Sequence, residues 1–239
     1  MDLNEKVAVV TGAARGIGRA LARRLGDEGC AVVAADIDAE NGARTAELVA
    51  GDAVFVPVDV RSDEDLSRMI ATAIDRFGAL HVLVNNAGGG GHIGPHFPDA
   101  PAETWGANLA LNLTSAMRAT QLALEPMRAA GGGAVVNIAS TAGIDPDPYR
   151  SPEYAAAKAG LVRFTTAAGE FEHGVRMNCV VPGWIATQRA FAELAAMSPA
   201  ERAAAPIPVP MPEVAGAVVE LVRDDTAAGR VVVLRDRRP

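Results

Sequence analysis

The chain has only two cysteines in 239 residues, Cys30 and Cys179, too few for a disulfide framework. Both fall in apolar runs, which predicts buried thiols. Basic residues are in deficit: 22 Lys and Arg face 29 Asp and Glu, a net charge of −7. An acidic surface argues against nucleic acid or an anionic membrane as partner. No apolar run reaches the roughly 20 residues that span a bilayer. The opening Met1-Asp2-Leu3-Asn4-Glu5 has neither the basic nor the apolar region of a secretion signal. A reducing, cytoplasmic location is the expectation. Composition shifts that would mark a linker and solenoid-type repeats are also absent, so residues 1–239 are expected to form one domain.

What the chain does have is alternation. Short apolar runs near 6–11, 31–36, 53–58, 80–85, 134–139, 175–181 and 230–234 read as strands. Helical patterns lie between and after them, near 17–28, 39–50, 63–77, 102–130, 152–170 and 212–223. This order predicts an α/β fold, a doubly wound Rossmann arrangement with one mostly parallel sheet of about seven strands and helices on both faces. In such sheets a ligand crevice opens at the carboxyl ends of the strands.

The first strand runs into Gly12-Ala13-Ala14-Arg15-Gly16-Ile17-Gly18 and then a helix. Gly12 permits a tight turn, Gly16 lets backbone approach a pyrophosphate, and Gly18 lets the helix pack on the strand. Strand, glycine turn and helix in this order make a dinucleotide phosphate site, with the helix N-terminus facing the phosphates. The second strand ends at Asp36, whose carboxylate can accept from both ribose hydroxyls of an adenosine and repel a 2′-phosphate. That favours NAD. Arg15 argues for a 2′-phosphate instead, so NADP stays open.

Tyr154 and Lys158 stand four residues apart, one helical turn, on one helix face. A nearby ammonium favours the phenolate, so this phenol can exchange a proton with an alcohol or carbonyl oxygen. The other tyrosine, Tyr149, is a rival phenol, but no lysine stands four residues after it. Further motifs join these: Asn85-Asn86-Ala87-Gly88 after a strand, Ser140 after another, and Pro182-Gly183 after a third. Together with Gly12, Gly16, Gly18, Tyr154 and Lys158, they make the chain resemble the short-chain dehydrogenase/reductase family from about Lys6 to Thr187.

The resemblance implies an oxidoreductase that passes a hydride between a nicotinamide cofactor and a secondary alcohol or ketone. Tyr154 would be the acid/base, Lys158 would lower its pKa and hold the nicotinamide ribose, and Ser140 would bind the substrate oxygen. Asn112 would hold a water in a proton relay behind Lys158. Asp59 and Val60 would cover the adenine. Asn86, Ala87 and Gly88 would pack along the adenosine side, with Ile17 and the glycine turn at the phosphates. Pro182, Gly183, Ile185 and Thr187 would border the nicotinamide. The resemblance also implies a homo-oligomer, a dimer or tetramer, and the outward faces of helices 102–130 and 152–170 carry Leu109, Leu113, Met117 or Phe164. An alternative on the same fold is a catalytically silent dinucleotide sensor or scaffold.

The substrate is a small molecule that the motifs do not name. A substrate lid is expected within about 187–211, a helical stretch to Met197 and then a Pro-rich segment. Its apolar side chains, Phe191, Leu194, Met197, Ile207, Val209 and Met211, hint at a hydrophobic alcohol or ketone. His92 and His96 sit in a glycine-rich loop with no further ligand nearby, so no metal site is expected there. His81 reads as structural. Two departures from the family stand out. The helix after Lys158 is short, and the chain ends in Arg235-Asp236-Arg237-Arg238-Pro239 in place of a glycine pair. A solvated tail is the expectation.

Overall fold

Residues 7–11 are five consecutive buried positions. Val7 and Val9 point to one side of the sheet and Ala8 and Val10 to the other, and both sets enter a hydrophobic core. A strand buried on both faces belongs at the centre of a parallel sheet. That is its place in the computed structural model, which describes residues 1–89 and 94–237. The strands are β1 (Val7–Thr11), β2 (Ala31–Asp36), β3 (Ala53–Pro57), β4 (Val82–Asn85), β5 (Gly133–Ile138), β6 (Glu170–Phe171), β7 (Val175–Pro182) and β8 (Val231–Leu234). They pair in the order β3-β2-β1-β4-β5-β7, with β8 parallel to β7 and the two-residue β6 antiparallel to it. The short β6 was not legible as a strand in the sequence.

The helices are α1 (Gly16–Asp27), α2 (Ala39–Leu48), α3 (Asp63–Phe77), α4 (Ala102–Leu109), α5 (Ser115–Ala129), α6 (Pro152–Ala168), α7 (Gln188–Ala196), α8 (Pro199–Ala204) and α9 (Met211–Arg223). Leu21 and Leu25 of α1 and Val214, Val218 and Leu221 of α9 fill the core on one face. Leu66, Met69 and Ile70 of α3 and Ala119, Ala123 and Met127 of α5 fill the other. Leu161 of α6 closes a third cluster with Ala116, Cys179 and Val181. Both cysteines are buried free thiols. Leu83, at the sheet centre, is fully buried; Leu83→Ala would cost about 2–5 kcal/mol through lost transfer energy and the cavity left. Local signals set the helix ends. The Ser62 hydroxyl accepts from the Asp65 N–H at 3.2 Å at the start of α3, and Gly78 ends it in the left-handed conformation at φ 81°.

The expected helix 102–130 is two helices joined by one π-helical turn, Ala110–Thr114. Within it, Asn112 Nδ2 donates to the Asn108 carbonyl at 3.1 Å, a side-chain bond made where the i→i−4 ladder is interrupted. Helix α8 was also unforeseen, although Ser198 and Glu201 form a full capping box.

Candidate active site

The loops that leave the carboxyl ends of β1, β2, β4, β5 and β7 converge on one side of the sheet. The turn after β1 is clamped to β4. Thr11 Oγ1 accepts from the Asn86 and Ala87 N–H groups, each at 3.0 Å. Asn86 Nδ2 donates back to the Thr11 carbonyl at 2.8 Å and the Gly12 carbonyl at 3.1 Å. Gly12 has φ 67°, and a Cβ there would lie 2.9 Å from Ala87 Cα. At Gly18 a Cβ would stand 1.9 Å from the Gly12 carbonyl oxygen, so only a hydrogen fits. Helix α1 then opens with no side chain capping Arg15 and no acid in its first turn. Its first N–H groups and the positive end of the helix dipole are left for an anion. Across the cleft, the Thr187 methyl lies 3.8 Å from where Gly16 would carry a Cβ. The glycine cradle therefore fits a dinucleotide pyrophosphate.

Asp36 is oriented by the same turn. Its Oδ2 accepts from the Ala14 N–H at 2.8 Å and its Oδ1 from the Asp38 N–H at 3.0 Å. Arg15 is exposed and acts on Asp38, whose carboxyl is held low chiefly by hydrogen bonds from Asn41, with Arg15 a smaller contributor. Asp59 is engaged differently: Arg61 pairs with it at 2.6 Å and holds its carboxyl below the ordinary range, while burial opposes. Val60 is buried beside it.

Ser140 opens a short 3-10 turn, its hydroxyl accepting from the Ala142 N–H at 3.2 Å. Tyr154, in the first turn of α6, is partly buried, and Lys158 one turn on is 4% exposed. Lys158 Nζ lies 5.8 Å from the centre of the Tyr154 ring and donates to the Ile138 carbonyl at 2.9 Å. Burial pushes the lysine down to about 8. Burial also pushes the Tyr154 phenol up, opposed by a hydrogen bond from Ser140 and, more weakly, by Arg189. This differs from the expectation of a phenol already lowered by its lysine: the ammonium sits over the ring face rather than at the hydroxyl. Tyr149 stacks on Tyr154 with centroids 5.9 Å apart and an interplanar angle of 29°.

The side chain of Asn112, the residue expected to hold a water, is bonded to Gly89. Its Oδ1 accepts from the Gly89 N–H at 2.8 Å and its Nδ2 donates to the Gly89 carbonyl at 2.9 Å. A Cβ on Gly88 would lie 2.7 Å from Asn112 Oδ1 and 3.2 Å from Lys158 Nζ. Asn112 and Lys158 thus press on the Gly88–Gly89 backbone together.

The sequence profile described as short chain dehydrogenase matches residues 6–197. The chain belongs to the short-chain dehydrogenase family. It is 37% identical over 189 residues to a D-beta-hydroxybutyrate dehydrogenase of Rhizobium meliloti (strain 1021), covering 76% of this chain and 72% of that one. It is 35% identical over 199 residues to a human enzyme named 15-hydroxyprostaglandin dehydrogenase with NAD(+) in its name, covering 78% and 71%. A solved 7 alpha-hydroxysteroid dehydrogenase, in complex with NADH and 7-oxo glycochenodeoxycholic acid, superposes with a TM-score of 0.86 at 27% identity, over 98% of this chain and 94% of that one. Relatives such as these are named dehydrogenases and reductases, and this chain is an oxidoreductase of their family, one that acts on CH–OH groups.

Behind the dehydrogenase site lies a polar network that the sequence reading missed. Asn85 Nδ2 donates to Asn137 Oδ1 at 2.9 Å and to Thr120 Oγ1 at 3.1 Å, and Asn137 Nδ2 donates to Thr165 Oγ1 at 2.9 Å. Asn137 is fully buried. The available signal was an asparagine inside each apolar run, since a buried amide requires a partner. A second missed group is His96 with Glu153, whose Nδ1 and Oε1 lie 2.7 Å apart. His92 lies outside the described residues. His81 Nδ1 accepts from the Val7 N–H at 3.1 Å, a structural use.

Residues 183–209 and the tail 235–237 pack together after β7 and β8. Ile185 bridges to Val209, and the Thr187 hydroxyl caps α7 by accepting from the Ala190 N–H at 3.3 Å. The C-terminal tail is docked, which corrects the expected solvated end for residues 235–237. Arg235 pairs with Asp145 at 2.8 Å, and Arg237 exchanges backbone hydrogen bonds with Ile207. Asp236 packs where Gly183 has no side chain: a Cβ there would be 2.4 Å from its Oδ1. Residues 238–239 lie outside the described residues.

Proposed function

We propose that this protein interconverts a secondary alcohol and a ketone with a nicotinamide dinucleotide, NAD(H) preferred. The observation that carries the reading is the meeting of Ser140, Tyr154 and Lys158 beside the glycine cradle: a hydroxyl that acts on the phenol, and a buried ammonium 5.8 Å from the phenol ring. A bound nicotinamide supplies the hydride acceptor or donor. Tyr154 moves the proton to or from the substrate oxygen, and Ser140 hydrogen-bonds that oxygen. Lys158, whose ammonium lies over the Tyr154 ring face, holds the cofactor ribose. Its lowered pKa of about 8 keeps it near the switch between charged and neutral forms at working pH. Asn112 holds Gly89 through its side chain and a water in the proton relay behind Lys158.

Gly12, Arg15, Gly16, Ile17 and Gly18 take the pyrophosphate, and Asp36 takes the adenosine ribose. Asp36 is fixed by two backbone donors at the end of β2, which supports NAD over NADP. Asp59, Val60, Asn86 and Ala87 border the adenosine, and Pro182, Gly183, Ile185 and Thr187 border the nicotinamide. Residues 187–211 form the substrate lid. The exposed Trp105 and Met117 of α4 and α5 fit a homo-oligomer contact, whereas Leu113 packs inward on Gly160.

The test is Tyr154→Phe, assayed by nicotinamide absorbance on a panel of ketones and secondary alcohols. Turnover should fall by about 10²–10⁴-fold, with NADH affinity nearly unchanged because the cradle and Asp36 are untouched. Near-normal turnover would move the assignment to Tyr149.

A further inference from the structure

Glu153 immediately precedes Tyr154, and its side chain is 6% exposed. A buried carboxylate is unfavourable unless every lone pair finds a donor. Here the donors come from two separate loops. His96 Nδ1 lies 2.7 Å from Oε1, and the Phe97 N–H donates to Oε2 at 3.4 Å; both belong to the loop between β4 and α4. The Ser151 hydroxyl donates to Oε1 at 2.8 Å and ends the loop between β5 and α6, which carries Tyr149. Burial alone would raise the Glu153 pKa, but these hydrogen bonds outweigh it and hold the carboxyl down to about 2. An ionised carboxylate only accepts, so His96 Nδ1 carries the proton. His96 Nε2 is buried with no partner among the described residues, so Nδ1 is the ring's only polar anchor.

The two loops that meet at this carboxylate each hold a large ring out to solvent. Phe97 is 61% exposed and Tyr149 43% exposed. An apolar residue in place of Glu153 would fill the space without desolvating a charge, so tight packing alone does not account for it. We propose that Glu153 is a positioning residue that sets the aperture of the substrate pocket, fixing Tyr149 against Tyr154 and Phe97 on the neighbouring loop so that the site takes a substrate with an apolar, ring-sized body beside the reacting carbon. The part concerning substrate rests on the proposed function; the part concerning the loops does not.

Both parts are testable on the full chain. The protein has two tyrosines, so ring-labelled tyrosine gives two NMR signals, assigned with Tyr149→Phe. Glu153→Ala should shift or broaden both. It should raise KM for ring-bearing ketones by about ten- to a hundredfold, the worth of a hydrogen bond to a charged group. kcat, KM for short aliphatic ketones and NADH affinity should stay within about threefold, below one such bond. His96→Ala should show the same KM selectivity, and His96→Asn, whose amide nitrogen takes the place of Nδ1, should restore it. Unchanged tyrosine signals together with an unchanged KM, or a KM loss uniform across ring-bearing and short ketones, would overturn the proposal. If Glu153→Ala does not fold, the His96 pair decides by the same comparison. If the wild type turned over no ketone or secondary alcohol with either nicotinamide, the proposed function would fall while the tyrosine spectra of Glu153→Ala still judged the clamp.

Discussion

On the side of the cleft proposed for the dinucleotide, the contacts that fix the site are backbone contacts. Gly18 lies against the Gly12 carbonyl, Asn86 holds two carbonyls of the β1 turn, and Asp36 takes two backbone N–H groups. On the substrate side, side chains hold other side chains: Glu153 with His96 and Ser151, Tyr149 against Tyr154, and Arg235 with Asp145. A backbone cradle suits a ligand whose phosphates never vary. A side-chain framework can be retuned by single substitutions while the cradle stays intact. The difference therefore separates what the fold does in general from what this chain selects.

The comparison can be tested from its strongest point downward. Gly18→Ala puts a methyl into the Gly12 carbonyl, which no rotamer change relieves. It should cost about 1–3 kcal/mol of stability by overpacking and abolish measurable NADH binding in a fluorescence titration. Intact binding would mean that the cradle is not the cofactor site. Asp36→Ala should cut NAD(H) affinity by about tenfold or more through loss of a charged acceptor and relax the preference over NADP(H). Parallel titration with both cofactors measures it, and a wild-type preference for NADP(H) would make Arg15 the deciding group.

The next test concerns acid stability on the substrate side. Glu153 takes its proton near 4.5 in the unfolded chain and only near about 2 in the fold. The unfolded state thus binds more protons between those values, and the stability Glu153 contributes is complete above 4.5 and lost as pH falls through that window. Melting curves of Glu153→Gln should show a flatter acid arm than wild type, the two converging below about pH 2. Parallel arms would show that the carboxylate is not held as described. The smallest effect is expected at the tail. Arg235→Ala removes an exposed ion pair, worth about 0.2–1 kcal/mol, and should leave NADH binding unchanged. A larger drop in melting temperature would mean that the docked tail supports the segment it packs against.

The legible parts of the molecule were those whose physics is local. Gly18 answers a steric condition set by the Gly12 carbonyl six residues earlier, Asp36 marks a strand end, and the Tyr154–Lys158 spacing is a property of one helical turn. What escaped needs partners far off in sequence. His96 and Glu153 meet across 57 positions, Asn85 and Asn137 across 52, and Arg235 and Asp145 across 90. Alone, each of those residues reads as an ordinary surface charge or an awkward amide. The tail looked solvated because nothing in Arg235-Asp236-Arg237 announces that Gly183 leaves room beside it.

The π turn at Ala110–Thr114 amounts to one residue inserted into a helix that does not stop. A helix advances about 100° per residue, so the faces before and after the insertion are out of phase by about one such step. Leu109, Leu113 and Met117, four apart on paper, therefore do not make one continuous stripe: Leu113 turns toward Gly160 while Met117 is 40% exposed. Deleting any one residue of the turn would leave a regular helix of undiminished helicity and rotate α4 against α5. Asn112, where it is kept, would turn away from Gly89 by about the same step. At this place the chain is more sensitive to its residue count than to its residue identities.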